Sequence, residues 1–167
     1  SKSSGLVVEK LKSEYKVVEE YWVNPFAQVI ITKTASEGYE YFVKEAELNV
    51  EESDARETLV SIISKELEAP EELESDVLSY IFSEAQKAAQ RYKRSLGKFS
   101  ESSWRKILYY VVRDLAGYGD LNTLMIDPNI EDISCNGLTV PIFVWHRKYE
   151  SIPTNIMFVD EIVYDNF

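Results

Sequence analysis

"FAQVIITKTASEGYEYFVKEAEL", residues 26–48, sets two β-prone runs on either side of the short loop "ASEG", which ends in Gly38. Runs of β-branched and aromatic residues around a short glycine-containing loop predict a hairpin. Upstream, "YKVVEEYWV" (15–23) has the same composition and stops at Pro25, which has no N–H to give to a central strand. The three runs together predict an antiparallel meander. A sheet this small cannot bury both faces by itself, so a covering layer is required.

The residues that follow supply helices. Asp54 and Glu57 fit a capping box, and Leu59, Ile62, Ile63 and Leu67 continue as one apolar stripe. Pro70 suits the first turn of a second helix, with Leu73, Val77, Ile81, Ala85, Ala88, Tyr92 and Leu96 recurring at helical spacing as far as Gly97. Ser100 is placed to cap a third helix, whose stripe is Trp104, Ile107, Leu108, Val111 and Leu115, with Gly117 at its end. After Gly119 the pattern returns to strands. "NIEDISCNG" (129–137) alternates, and "PIFVWHRKYESIPTNIMF" (141–158) reads as two strands around a polar turn near 149–151. The closing "DEIVYDNF" begins an amphipathic helix and stops, so the expectation is a chain cut from a longer protein. The expected class is α+β: a small antiparallel meander packed with a bundle of about three helices, then the start of a second small α/β domain.

Composition narrows the function. With 45% hydrophobic residues, 167 residues can enclose a core, and the apolar runs are far too short to span a bilayer. One cysteine leaves no internal disulfide and, with no secretory leader pattern at the start, points to the cytosol. No G-x-x-x-x-G-K-[ST] loop is present to cradle a triphosphate. "GYGDLN" (117–122) follows a helix and lacks the third glycine of a dinucleotide site.

Chemistry-bearing residues are few. His146 is the only histidine and Cys135 the only cysteine, too few ligands for zinc, so His146 is expected on a partly exposed strand face. Asp127, Glu131 and Asp132 lack the ligand spacing of a calcium loop. Asp127–Pro128–Asn129 reads as a turn, with Glu131 in solvent and Asp132 pairing locally.

The charge distribution is the stronger signal. The net charge is −11, yet residues 86–113 carry eight bases against one acid, directly after thirteen acids against two bases over 45–85. Lys87, Arg91, Arg94 and Lys98 recur at spacings of four, three and four, which places them on one helical face. Such a face can bind nucleic acid or dock an acidic protein surface, or it can complement its own helix dipole and an acidic neighbour. The overall acidity favours the structural or protein-docking uses.

Three segments carry a resemblance: "YKVVEEYWVNPFAQVIITKTASEGYEYFVKEAEL", "SSWRKILYYVVRDLAGYGDLNTLMIDPNIEDISCNG" and "PIFVWHRKYESIPTNIMF". Over about Tyr15 to Phe167 the chain resembles the N-terminal region of archaeal type II/type IV secretion ATPases, the GspE-like enzymes of pilus, archaellum and secretion machines. The resemblance implies a hexameric parent using ATP and Mg in a C-terminal domain that lies outside this chain. It implies a non-catalytic docking or regulatory module at 1–97 and the beginning of a second N-domain at 98–167. It also implies partners: the parent's own ATPase domain, neighbouring subunits and a membrane platform protein, on the cytoplasmic side at the membrane's inner face. No cofactor or metal is expected in the chain itself, and no nucleic acid. By the same resemblance Arg147, in "WHRKY", is the position from which a guanidinium would contact a nucleotide phosphate in the assembled parent. The basic face Lys87, Arg91, Arg94 and Lys98 becomes the partner-docking candidate, with a nucleic-acid-binding α/β module as the alternative.

Overall fold

A computed structural model describes residues 5–11, 15–66, 77–116 and 118–159. The chain is α+β and forms two compact units. One comprises Ser1–Glu45 with Asp120–Phe167, and the other comprises Ala46–Gly119. The expected boundary between residues 97 and 98 matches neither crossing. The reason is topological: the strands after the helices complete the sheet begun before them.

In the β unit, β1 (Leu6–Val8) precedes the meander β2 (Lys16–Asn24), β3 (Ala27–Lys33) and β4 (Tyr39–Glu45). A 3-10 turn (Gly119–Leu121) leads into a short helix (Asn122–Ile126), followed by β5 (Ile130–Ser134), β6 (Pro141–His146) and β7 (Glu150–Phe158). The strand order is β2-β3-β4-β7-β6-β5, with β1 also on β7. The meander and the β5–β6–β7 strands are antiparallel, whereas β4 meets β7 in parallel at one register point, Tyr41 opposite Thr154. The predicted hairpin is present, but Glu37, at φ 65°, takes the left-handed position beside Gly38. The turn between β6 and β7 falls at 147–149, slightly before its expected place.

The meander's covering layer comes from these later residues. Val29, Ile31, Tyr41 and Val43 share one buried cluster with Leu121 and Leu124 of the helical turn and with Ile142, Val144, Ile152, Ile156 and Phe158.

The helical unit contains α1 (Val50–Glu66), α2 (Val77–Arg91), α3 (Lys93–Leu96) and α4 (Glu101–Leu115). Its core joins Ala55, Leu59 and Ile63 to Ala85, Ala88 and Ala89 and to Ile107, Leu108 and Val111. Of the predicted stripes, Leu59, Ile63, Ile81, Ala85, Ala88, Ile107, Leu108 and Val111 are buried, Ile62, Tyr92, Leu96, Trp104 and Leu115 are half-buried, and Val77 is exposed; Leu67, Pro70, Leu73 and Gly117 lie outside the described residues. Two sequence expectations are corrected here. The first helix starts at Val50, so the capping box is Asn49 with Glu52: Glu52 N–H donates to Asn49 Oδ1 (2.8 Å) and Asn49 N–H donates to Glu52 Oε1 (2.9 Å). The long second helix is interrupted at Tyr92 (φ −103°, ψ 12°), which separates α2 from α3. The Ser100 cap forms as expected, accepting from the Ser103 N–H at 3.1 Å.

Candidate functional site

The helical unit carries the basic residues singled out above. Lys87 and Arg91 lie on α2 and Arg94 on α3, while Lys98 stands past the helix in the loop to α4. The break at Tyr92 thus interrupts the single helical face expected for all four. All are exposed. Lys87 approaches Glu84 at 3.4 Å and Arg91 approaches Glu66 at 3.4 Å, in solvent, where such pairs contribute about 0–1 kcal/mol. Among the described residues Arg94, Lys98 and the neighbouring Lys93 have no ion pair. Their charge is available to a partner.

The other cations of this band are used internally. Lys106 Nζ stands 3.0 Å from Glu52 Oε1, whose side chain is 2% exposed. Burial raises the Glu52 pKa, but the Asn49 N–H and the Lys106 ammonium outweigh it and hold the carboxyl below its ordinary value. Arg56 grips Asp114 through two hydrogen bonds (2.7 and 3.0 Å), joining α1 to α4. Its guanidinium lies 4.8 Å from the Tyr110 ring centroid, with Arg113 at 4.5 Å from the same ring, and the Tyr110 hydroxyl donates to the Ala46 carbonyl.

Arg147 belongs to the β unit and is exposed at the start of the β6–β7 turn. Its backbone N–H donates to Asn129 O (2.9 Å) and its Nε stands 3.8 Å from Glu131. Among the described residues no other ion pair holds its guanidinium.

The β unit also holds a polar cluster that the sequence reading missed. His146 is 3% exposed and not on a partly exposed face, because it continues the inward register of Ile142 and Val144. That alternation was the signal that could have found it. Asp127 forms the expected turn, with Oδ1 accepting from Asn129 N–H at 2.8 Å, but the carboxylate is 4% exposed. Its Oδ2 accepts from the Tyr21 hydroxyl (2.5 Å) and the Tyr41 hydroxyl (2.6 Å). Lys148 N–H donates to His146 Nδ1 (3.1 Å), which puts the ring proton on Nε2, facing the Tyr21 oxygen at 3.1 Å. A continuous donor sequence thus runs from His146 through Tyr21 to Asp127. Burial raises both tyrosine pKa values, with Asp127 adding to the effect, and burial lowers that of His146 against the pull of Asp127 and Glu19. At the cluster's edge the Tyr149 hydroxyl donates to Glu19, which also holds Lys148 Nζ at 3.1 Å.

These hydrogen bonds join β2, β4, β6 and the 127–129 turn. Glu131 is exposed, as expected, and so is Asp132, for which local pairing was expected. Cys135 is half-buried and free, with burial pushing its thiol pKa up. Among the described residues no group of three or more His, Cys, Asp or Glu side chains is placed to hold a metal ion. Among the same residues no helix is long and apolar enough to cross a membrane.

The chain matches no protein-family model. Over 62 residues, 37% of its length, it is 47% identical to an uncharacterized protein of Methanocaldococcus jannaschii; the match spans about a quarter of that relative (25%).

Proposed function

We propose that this chain is the non-catalytic docking and regulatory module of a hexameric GspE-like secretion or pilus-assembly ATPase. In this reading, hydrolysis of ATP with Mg takes place in a C-terminal domain outside the chain. The module couples it to a membrane platform protein from the cytoplasmic side. The observation that carries the reading is the exposed, weakly paired basic face of the helical unit, within a chain of net charge −11. The resemblance of the three segments described above supplies the family. An archaeal relative is compatible with it, and its description assigns no activity.

The test is charge reversal in the full-length parent. Arg91→Glu with Arg94→Glu is expected to abolish binding to the platform protein while ATP turnover of the detached enzyme persists. Unchanged platform binding would sink the assignment of this face. The isolated chain is expected to hydrolyse no ATP, and turnover that a point mutation in this chain removes would sink the non-catalytic reading. Nucleic acid, the alternative partner of a basic stripe, would reveal itself as binding that weakens steeply with salt.

A further inference from the structure

A groove of about 340 Å³ lies between α2–α3 and α4, within the roughly 300–1,000 Å³ span of small-ligand pockets. Ala89 and Leu108, both nearly buried, line its depth, and Gln90, Lys93, Phe99 and Trp104 line its sides. Phe99 and Trp104 meet edge to face, with centroids 5.1 Å apart and planes at 83°. Gly97 makes this wall possible. At φ 129° it occupies a conformation other residues avoid, and a Cβ there would stand 3.2 Å from the Phe99 ring. The Trp104 indole N–H is buried and has no acceptor among the described residues.

The mouth is cationic. Lys93 lines the groove and is followed by Arg94, while Lys98 directly precedes Phe99; none of the three has an ion pair among the described residues. The acid on the rim, Glu101, is held by Arg105 at 2.6 Å. We propose that this groove is a docking site for an acidic segment of a protein partner. The segment inserts one bulky apolar side chain against Phe99 and Trp104 and lays its carboxylates on Lys93, Arg94 and Lys98. A peptide fits better than a nucleic acid. The edge-to-face pair offers no parallel platform on which bases stack.

This inference takes from the docking reading only that the occupant is a protein, and it is tested without the platform. In the 167-residue chain, Trp22→Phe and Trp145→Phe leave Trp104 as the sole indole; both replaced rings are exposed. The probe is an acetylated glutamate-rich octapeptide with one central phenylalanine, titrated while Trp104 fluorescence is followed. Saturable binding is expected. It should weaken at least tenfold when the probe's phenylalanine becomes alanine, when Gln90→Trp fills the groove, and when Lys93→Glu and Lys98→Glu reverse the mouth. Circular dichroism checks that the variants fold. Absence of saturable binding, binding indifferent to the groove variants, or preference for an oligothymidylate over the peptide would each overturn the proposal. If the peptide fails while platform recruitment still needs Arg91 and Arg94, the groove is refuted alone. If the peptide binds at the groove and recruitment ignores Arg91 and Arg94, the groove stands and the docking face assigned above does not.

Discussion

The carboxamide of Asn155 on β7 stands in for a strand partner of Val43 on β4. Asn155 Oδ1 accepts from the Val43 N–H at 2.8 Å, and Asn155 Nδ2 donates to the Val43 carbonyl at 3.1 Å. The two strands share one parallel register point, Tyr41 with Thr154, and then diverge. A side-chain amide has the donor and acceptor of a peptide unit, so Asn155 continues the ladder where the backbone cannot. The same Nδ2 also donates to the Glu9 carbonyl at 2.7 Å, tying in the segment after β1.

Asn155→Leu keeps the volume and removes all three bonds, leaving the Val43 N–H and C=O without partners. Each buried group left unpaired costs about 1–3 kcal/mol, so a loss of about 3 kcal/mol is expected after relaxation. Asn155→Asp keeps one acceptor but turns a carboxylate toward two carbonyls, and is expected to destabilise comparably. Urea unfolding followed by the fluorescence of Trp22 and Trp145, both in the β unit, reads the change. An unaltered midpoint in Asn155→Leu would show that the seam is held by other contacts.

The Asp127 carboxylate organises β2 and β4 through Tyr21 and Tyr41. Tyr41→Phe is expected to cost about 1.5–3 kcal/mol, the range for a hydrogen bond to a charged group. Asp127→Asn should cost at least as much, since its amide cannot accept from both phenols and from Asn129 together. The decisive measurement is a double-mutant cycle between Tyr41 and Asp127, where a coupling of about 1 kcal/mol or more is expected. Additive losses would place the tyrosine's contribution in ring packing.

What was legible in the sequence was local. The β3–β4 hairpin follows from a period of two around a short loop, and the Ser100 cap follows from its place before the Trp104–Leu115 stripe. The seam between β4 and β7 was not legible, because Tyr41 and Thr154 are 113 positions apart and neither signals the other. Without that seam the helices looked like the meander's cover and the chain looked divisible at residue 97. The buried cluster was half legible. Asp127 could be read as a turn former, but its second oxygen is satisfied by two tyrosines from distant strands. His146 followed the alternation of its strand, yet a lone histidine weighed as a polar residue was assigned to the surface.

The sequence placed the first helix's capping box at Asp54 with Glu57, whereas the structure forms it at Asn49 with Glu52. Asn49→Ala is expected to cost about 1 kcal/mol, the usual value of an N-cap. Asp54→Ala lies on the exposed face and should stay within about 0.5 kcal/mol of wild type. Thermal melts followed by helical circular dichroism compare the two directly. Equal losses would mean that the helix start shifts between the boxes.

The pH profile of stability should be bounded on both sides by the His146 cluster. Tyr21, Tyr41, Tyr149, Asp127, Glu19 and Lys148 face or adjoin the imidazole. Burial lowers the His146 pKa, so the unfolded chain takes up this proton first, at about pH 6.5. The contribution is therefore complete above that pH and declines as pH falls toward the folded value. A protonated Nδ1 would also confront the Lys148 N–H that it now accepts from. Glu19 acts lower: the Tyr149 hydroxyl holds its carboxyl below the ordinary range, so its share persists until more acidic conditions. At the alkaline end the pKa values of Tyr21, Tyr41 and Tyr149 are raised, chiefly by burial, so their contribution is full below about pH 10 and is lost as pH rises beyond it. Urea unfolding between pH 5 and 11 should give a plateau between these limbs, and the single histidine's NMR titration should report a pKa below 6.5. His146→Gln should flatten the limb just below pH 6.5 and leave the alkaline limb in place. A histidine titrating at or above 6.5, or an acid limb that survives the substitution, would remove His146 from this role.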